Sequence, residues 1–511
     1  MTGQGSMDRS SVDFSDIQAL VRYAHGPLTE ACFFLLRIAD RGAARAWLRV
    51  AQIANARAEP APSTPDTALH IAFTAEGLRA LGVSEAVIAG FSAEFLSGMA
   101  GEASRSRRLG DIGASAPGSW EWGRDGTTPH LAVMLYAKSG KLEVLKSSVT
   151  DQSWRAAFEL VRCLSTTTVD GREPFGFRDG ISQPQLDWAR TRAANGDALE
   201  RDYGNLVALG EFLLGYRNEY GKYTDRPLID PGTDPNAAGL PAAEDAPELR
   251  DLGRNGTYLI LRQLRQDVRG FWRFLDKQAS SNRAERERLA TSMVGRTLEG
   301  VPVMPLMTRS IAGIEPGSDD AKSNQFTFDA HPGGTRGPFG AHIQRANPRT
   351  ADLPPGTKGF LSRLIKVFGF NRQTIRDDMI ASARFHRILR RGRDYGPYLP
   401  PDDALRPGAS DEDRGLHFIC LVANISRQFE FVQNAWVMST KFNGLSGESD
   451  PLLGNRQPIP GCPVTSSFSM PREGKPPDCL VGVPQFVTVR GGAYFFLPGV
   501  RALRYLATDK T

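Results

Sequence analysis

One carboxylate in this chain stands in a setting that suits proton transfer. Asp179 lies in the run Gly-Phe-Arg-Asp-Gly that begins at Gly176, between two glycines and among apolar neighbours. An aspartate beside a glycine most often caps a turn with its side chain. A carboxylate held in such a turn can also accept a proton and return it, as a general acid–base group does. The run alone leaves both interpretations open.

A single histidine far downstream has a comparable setting. The chain contains seven histidines, which do not cluster with one another or with cysteines at zinc-binding spacing. His342 lies in a loop segment that begins at Gly340 and also carries Arg345 and Arg349. Haem iron needs only one imidazole from the protein, and guanidinium groups suit the carboxylates of haem. The alternatives are a hydrogen-bonded loop histidine and two solvated arginines.

A dense set of arginines follows this segment and can be tested as a nucleic-acid site. The set consists of Arg384, Arg387, Arg390, Arg391 and Arg393. Only Phe385 and Tyr395 are interleaved with it as aromatic residues that could stack on bases. The net charge is +5, from 62 basic and 57 acidic side chains, so the chain is not a polycation. These features disfavour nucleic acid as the partner.

Length and composition set wider limits. With 511 residues, 41% of them hydrophobic, the chain is long enough for two ordinary domains with full cores. No apolar stretch is long enough to span a bilayer, and the first residues show no hydrophobic signal segment, so we expect a cytoplasmic protein without a membrane partner. The five cysteines include no C-x-x-C pair, which disfavours a disulfide framework and a structural zinc site. Cys32 and Cys420 lie in apolar runs and are interpreted as small core residues.

The elements that must position these residues form a pattern that occurs twice. Each occurrence predicts an apolar strand with a helix after it, a second strand with a helix after it, and a further strand. The first set is strand 31–38, helix 41–54, strand 68–73, helix 76–81 and strand 130–136. The second set is strand 256–262, helix 267–278, strand 415–421, helix 426–437 and strand 492–497. The pattern predicts an α+β protein of two related halves, 1–250 and 251–511, with facing sheets and outer helices.

Long segments rich in proline and glycine interrupt this pattern. They span residues 225–255, 300–355, 396–413 and 450–484. Loops of this length in a compact protein usually wrap a functional site. His342 falls in one of them.

Five blocks along nearly the whole chain, taken in order, resemble the dye-decolorizing peroxidases in their long bacterial form. The Gly176–Gly180 run is similar to the G-x-x-D-G signature of that family. Further similar blocks are residues 211–221, residues 255–275, the segment from Gly340 to Arg349, and the Arg-Arg-Gly-Arg-Asp-Tyr-Gly run that begins at Arg390.

The resemblance implies two ferredoxin-like halves that hold haem b, with Asp179 in the first half and both His342 and Arg390 in the second. His342 would be the proximal iron ligand. Asp179 would serve as the distal acid–base group, and Arg390 would stabilise charge. Arg345 and Arg349 would contact the haem propionates. The partners implied are hydrogen peroxide and small one-electron donors such as dyes or phenols, while a homo-oligomer is left open.

Two departures from the family pattern and one alternative accompany this interpretation. Where many relatives place a carboxylate that binds the proximal histidine, the alignment gives Gln485, and Glu430 is a substitute partner. Gln344 stands where an arginine is common, which affects the expected propionate contacts. The alternative function is a haem-binding or iron-releasing protein of the same fold. A cofactor-free interaction protein would leave the acid, histidine and arginine blocks unexplained.

Overall fold

The structure is a computed structural model of the chain. It describes residues 11–57, 65–167, 171–191, 204–307, 323–328, 331, 333–349, 382–408, 411–458 and 465–508.

A single nine-stranded antiparallel sheet dominates the described part of the chain. Its strands are β1 (Glu30–Ile38), β2 (Thr67–Phe73), β3 (Leu131–Ala137), β4 (Phe158–Ser165), β5 (Thr257–Gln266), β6 (Leu389–Arg390), β7 (Arg393–Tyr395), β8 (Gly415–Val422) and β9 (Val487–Leu497). They run in the order β6–β8–β5–β9–β2–β3–β1–β4, with β7 also paired to β8. Every strand predicted from the sequence is present, with bounds that shift by a few residues.

The order of the strands repeats between the halves. In the N-terminal half it is β4–β1–β3–β2, so the fourth strand lies beside the first and the third beside the second. In the C-terminal half β9 lies beside β5, β5 beside β8, and β8 beside β6, which is the same order. The two sets join where Phe496 of β9 pairs with Phe73 of β2. The architecture is α+β with two related sets of strands, as predicted.

Both faces of the sheet are covered, which explains why its strands are nearly continuous apolar runs. On one face, Phe33 of β1 and Leu259 of β5 belong to the same buried cluster, so the two halves face each other across an inner core. His417 Nε2 of β8 lies 3.0 Å from the Ser165 carbonyl oxygen of β4, across this interface. On the other face, Phe34 of β1 packs in a second cluster together with the outer helices.

The outer helices begin where the sequence provides capping residues. Asp40, Asp267 and Asn282 accept backbone N–H groups at the starts of three of them, which satisfies donors that lack helical partners. The helices are α1 (Arg41–Val50), α2 (Ala75–Ala80), α3 (Glu85–Ile88), α4 (Ala93–Ser97), α5 (Ala103–Leu109), α6 (Leu142–Val149), α7 (Gln152–Ala157), α8 (Val268–Gln278), α9 (Arg283–Val294), α10 (His342–Ala346), α11 (Pro401–Ala404) and α12 (Val500–Leu506). The helix predicted over 426–437 consists of two π-helical segments, Ser426–Glu430 and Val432–Val437.

Short elements complete the described chain. The paired short strands are Gln185–Leu186 with Leu206–Val207, Leu228–Ile229 with Arg250–Asp251, and Phe468–Arg472 with Lys475–Leu480. Single turns of 3-10 helix span Phe14–Asp16, Ala19–Val21, Gly113–Ser115, Pro117–Ser119, Leu209–Glu211, Pro235–Gly239, Ser382–His386 and Phe442–Gly444. Among the described helices, none combines the length and apolarity needed to cross a membrane.

The predicted boundary near residue 250 falls shortly before β5, which begins at Thr257. Because the sheet continues from one half into the other, the division into 1–250 and 251–511 stays a prediction.

Candidate active site

A cavity lies against the outer face of the C-terminal strands. Its floor includes Leu264 of β5, Phe418 of β8 and Val487 of β9, and the loop that carries Asp179 closes one side. The remaining walls come from α10, the 383–390 segment and the two π-helical segments. Elements distant in sequence therefore converge on one mostly apolar space.

His342 enters this cavity from α10 and is fixed by a buried carboxylate. Its Nδ1 lies 2.9 Å from Asp450 Oδ2, and the Asp450 side chain is 0% exposed. The other carboxylate oxygen accepts the backbone N–H groups of Leu452 and Leu453, each at 2.9 Å. Burial opposes the charge on Asp450, but His342 and these hydrogen bonds prevail and lower its pKa. An ionised Asp450 accepts a hydrogen bond from the Nδ1–H group of His342, which leaves Nε2 as the ring nitrogen able to bind a metal.

Asp450 also acts on the imidazole itself. Burial alone would lower the pKa of His342, yet the attraction and hydrogen bond of Asp450 outweigh it and raise that pKa. The imidazole is 26% exposed, and its exposed part faces the cavity that His342 lines. The histidine predicted from the sequence is thus placed where a cofactor would meet it.

Asp179 and Arg390 form an ion pair that borders the same cavity. Arg390 Nη1 donates to Asp179 Oδ1 at 2.9 Å, and Nη2 donates to the Ser182 carbonyl at 3.2 Å. Their side chains are 43% and 33% exposed, and both residues line the cavity. Burial opposes the charge on Asp179, but Arg390 and the Gly180 backbone N–H prevail and lower its pKa. The carboxylate is therefore ionised and available to accept a proton.

The turn that presents Asp179 depends on its two glycines. Gly176 has a φ of +102° and Gly180 a φ of +80°, in the region that residues with a Cβ atom rarely adopt. The Asp179 N–H donates to the Gly171 carbonyl at 2.9 Å, which holds the turn closed. Arg390 is fixed independently, since it belongs to β6 and pairs with Cys420 of β8.

The structure contradicts one of the two predicted propionate contacts. Arg345 is 0% exposed and does not line the cavity. Its guanidinium donates to the carbonyls of Gly340, Trp436, Ser439 and Glu448, so it braces the loops around α10. Burial lowers its pKa to about 10. The prediction failed because sequence spacing does not show which way an arginine turns from a short helix.

Arg349 does line the cavity, although it too is anchored. It donates to the carbonyls of Asn324 and Phe326, at 2.9 and 2.6 Å, and its guanidinium carbon lies 3.9 Å from the Phe326 ring centre. Its contact with a propionate stays a prediction.

The partner of His342 was also predicted wrongly. Gln485 donates to Ser115 Oγ and to the Val487 carbonyl, while Glu430 accepts from Tyr494 Oη and pairs with Arg105. Asp450, the actual partner, lies in the long 450–484 segment, where no spacing rule pointed to it. The only signal was its own setting, an aspartate before Pro-Leu-Leu in a loop, which favours a side-chain-to-backbone turn.

Two further titratable residues line the cavity and were not singled out from the sequence. Glu173 accepts the N–H groups of Phe175 and Phe177 and the Gln266 amide, and burial raises its pKa to about 7. His386 stacks on Phe431 with ring centres 3.6 Å apart, and burial lowers its pKa to about 4, so its imidazole is neutral. The cavity therefore contains a second histidine besides His342, and the imidazole of this second histidine is neutral.

The residues present fit a haem. Within the described residues, no three His, Cys, Asp or Glu side chains group so as to hold a bare metal ion. One imidazole nitrogen in an apolar cavity is nevertheless sufficient for haem, because the macrocycle itself supplies the other nitrogen ligands of the iron. The apolar walls include Phe326, Phe418, Phe429, Val432 and Leu453.

Comparisons with known proteins agree with this fit. No family model matches the chain. The dye-decolorizing peroxidase msp1 of Mycetinis scorodonius is 27% identical over 465 residues, which cover 86% of this chain and 76% of that protein. The multifunctional dye peroxidase DyP2 of an Amycolatopsis species is 28% identical over 469 residues, covering 86% of this chain and 82% of its own length.

Solved structures show the same fold. A fungal DyP-type peroxidase from Auricularia auricula-judae superposes with a TM-score of 0.71 at 24% identity and covers 98% of this chain and 100% of its own. A DyP-type peroxidase from Anabaena gives a TM-score of 0.68 at 22% identity, covering 96% and 94%.

The fold and the relatives together define a haem-dependent peroxidase. More narrowly, the chain is similar over most of its length to dye-decolorizing peroxidases, and the predicted α+β fold class is confirmed. The long bacterial form is not confirmed, because fungal proteins are prominent among the relatives.

Proposed function

We propose that this peroxidase reduces hydrogen peroxide and oxidises small one-electron donors such as dyes and phenols, with His342 as the proximal ligand and Asp179 and Arg390 as the distal pair. The observation that carries the proposal is that the His342–Asp450 pair and the Asp179–Arg390 pair border one apolar cavity. The names of the relatives support the donor class, and one similar solved structure is a complex with 2,6-dimethoxyphenol.

His342 Nε2 would hold the haem iron, and the apolar walls would hold the macrocycle. Haem b, when bound, supplies the iron that exchanges electrons with peroxide and with the donor. Arg349 alone is the proposed propionate partner, whereas the sequence had predicted both Arg345 and Arg349.

The distal pair handles the proton. The ionised Asp179 carboxylate accepts a proton from one oxygen of hydrogen peroxide and returns it to the other oxygen, which leaves as water. Arg390 keeps the carboxylate ionised and in place through its 2.9 Å contact. Its guanidinium also stabilises the negative charge that develops on oxygen as the bond between the two oxygens breaks.

The pH dependence of the reaction with peroxide tests this assignment. The rate should stay high in mild acid and fall only as the pH drops through the pKa of Asp179, which is lowered below its ordinary value of about 3.9. Turnover should therefore persist on the acidic side of neutrality, at pH values where an unperturbed imidazole would already be protonated.

Two variants sharpen this test. The acid limb of the profile should vanish in Asp179→Asn, and it should move to higher pH in Arg390→Leu because the main charge that lowers the pKa is lost. An acid limb that persists unchanged in Asp179→Asn would show that another group titrates.

Asp450 is proposed as a positioning residue that strengthens the donor character of His342. The sequence had suggested the neutral amide of Gln485 there, and a carboxylate partner gives the imidazole more donor character than a neutral amide would, which lowers the reduction potential of the iron. We expect Asp450→Asn to raise the iron reduction potential and to lower activity by about 10- to 100-fold. A spectroelectrochemical titration of the holoenzyme measures the potential.

Gln485→Glu is the matched control for this prediction. It places a carboxylate at the position that the resemblance had favoured, and it should leave the potential unchanged because Gln485 contacts Ser115 and Val487 and not His342. A reduction potential that changes in Gln485→Glu but stays at the wild-type value in Asp450→Asn would contradict the assignment.

A haem-binding or iron-releasing protein of the same fold is the alternative. Such a protein would bind haem through His342 but would have no need of the Asp179–Arg390 pair. Peroxide turnover by the purified holoenzyme separates the two functions. A cytoplasmic location and homo-oligomerisation stay predictions.

A further inference from the structure

Two cysteine thiols meet on the outer face of the sheet. They lie on strands of the N-terminal half, whereas the floor of the cavity is formed by strands of the C-terminal half. Cys32 lies on β1 and Cys163 on the neighbouring strand β4, and their Sγ atoms are 3.0 Å apart. The two residues are diagonal neighbours, since Cys32 pairs with Ser165 and Cys163 with Phe34. The sequence analysis interpreted Cys32 as a small core residue, and it is 2% exposed. Its thiol nevertheless touches a second thiol.

The two cysteines differ in their access to solvent. Cys163 is half-buried and belongs to β4, which lies at one end of the sheet. The element beside the pair is α6, which has no fully buried residue and packs through Leu142 and Leu145 onto the cluster that contains both thiols. Cys163 is therefore the more accessible of the two thiols.

The surroundings favour a thiolate on Cys163. The hydrogen bond between the two thiols, with help from the Lys146 ammonium on α6, outweighs burial and lowers the pKa of Cys163 to about 7. The same contact raises the pKa of Cys32. Lys146 is 29% exposed and is held by Glu143 at 2.8 Å. Thiols that sense peroxide combine a lowered pKa, partial access and an adjacent second thiol.

We propose that Cys32 and Cys163 are a peroxide-responsive thiol pair that closes to an intramolecular disulfide linking β1 and β4. The Cys163 thiolate attacks one oxygen of hydrogen peroxide, so that a sulfur–oxygen bond forms, the oxygen–oxygen bond breaks and hydroxide leaves. The Cys32 sulfur then attacks the oxidised sulfur, the sulfur–sulfur bond forms, and the oxygen leaves as water with the proton of the Cys32 thiol. Two electrons pass from the two sulfurs to one peroxide.

This reaction is separate from the proposed role of Asp179 and Arg390 and does not depend on it. Its consequence would be structural, because the bond would tie the terminal strand β4 covalently to β1.

The other described cysteines provide matched controls. Cys420 is 0% exposed on β8, where burial raises its pKa, and Cys479 is exposed on the short strand Lys475–Leu480. Neither has another described cysteine within contact distance in the structure.

The experiment is intact-mass analysis and non-reducing peptide mapping of the reduced holoenzyme after brief treatment with excess hydrogen peroxide, followed by quenching with catalase and alkylation. The wild-type chain should lose about 2 Da and yield one linked peptide pair that contains Cys32 and Cys163. Cys32→Ser should instead gain about 16 or 32 Da at Cys163, because no second thiol remains to displace the oxygen. Cys420→Ser should behave as the wild type.

A second oxidant keeps the proposal falsifiable if a serine variant fails to fold. Diamide acts on thiolates without involving the haem, and it should produce the same linked pair in the wild-type chain. Oxygen adducts on Cys163 without a link to Cys32 in the wild-type chain would overturn the proposal. So would oxidation that reaches Cys479 while both Cys32 and Cys163 stay fully alkylated.

Discussion

Asp179→Asn retains haem but reacts with hydrogen peroxide about 100-fold more slowly than the wild-type chain, or slower still, if its carboxylate is the distal proton acceptor. The substitution keeps the size of the side chain and removes only the charge and basicity. The Asp179 side chain is bound by Arg390 and the Gly180 N–H, and its turn is closed by a main-chain hydrogen bond to Gly171 that the substitution keeps, so folding should be little affected. Stopped-flow absorbance after mixing the ferric holoenzyme with peroxide gives the rate constant.

Arg390 allows a graded control of the same step. Arg390→Leu should also slow the reaction with peroxide by about 100-fold or more, whereas Arg390→Lys, which keeps the charge, should slow it less. Glu173→Gln changes another cavity carboxylate and should leave most of the rate intact, since Glu173 is already committed to two backbone N–H groups and Gln266. Wild-type rates in both Asp179→Asn and Arg390→Leu would refute the distal assignment.

His342→Ala should show the largest effect of all, a loss of haem from the purified protein. The imidazole is the only protein ligand proposed for the iron, and neither Arg345 nor Arg349 can replace it. The ratio of Soret absorbance to protein absorbance measures occupancy, and the native Soret band should be absent or sharply reduced.

His386→Ala is the matched control, because His386 lines the same cavity with a neutral imidazole. It should keep haem and the native spectrum. If His342→Ala retains full haem while His386→Ala loses it, then the ligand assignment is reversed.

The strands of the fold could be predicted because the apolar character of their residues follows from their burial. A strand covered on both faces must be apolar throughout, and β1 shows this in the run from Ala31 to Leu36. The repeat of strand and helix along the chain indicated two related halves. What it did not indicate was that β9 pairs with β2 and makes one sheet of both, because a contact between Phe496 and Phe73 leaves no local pattern.

The site was predictable only where a residue sits in a constrained backbone. Asp179 lies between glycines that the turn requires, so its position is marked in the sequence. Asp450 has no such mark, because its role arises from a loop that folds back onto α10. The propionate contact predicted for Arg345 was wrong because closeness in sequence to His342 does not fix the direction of the side chain. Arg345 points into the loops that support α10.

The wide spacing of the residues around the cavity has a consequence for how the protein is made on the ribosome. The residues that line the cavity extend along the chain from Glu173 to Val487, and β9 must join β5 and β2 before the sheet is complete. An unfinished chain therefore has no finished haem pocket, even after His342 has emerged. We therefore expect haem to be inserted only after β9 has been made, and a truncation before β9 should yield a protein without haem.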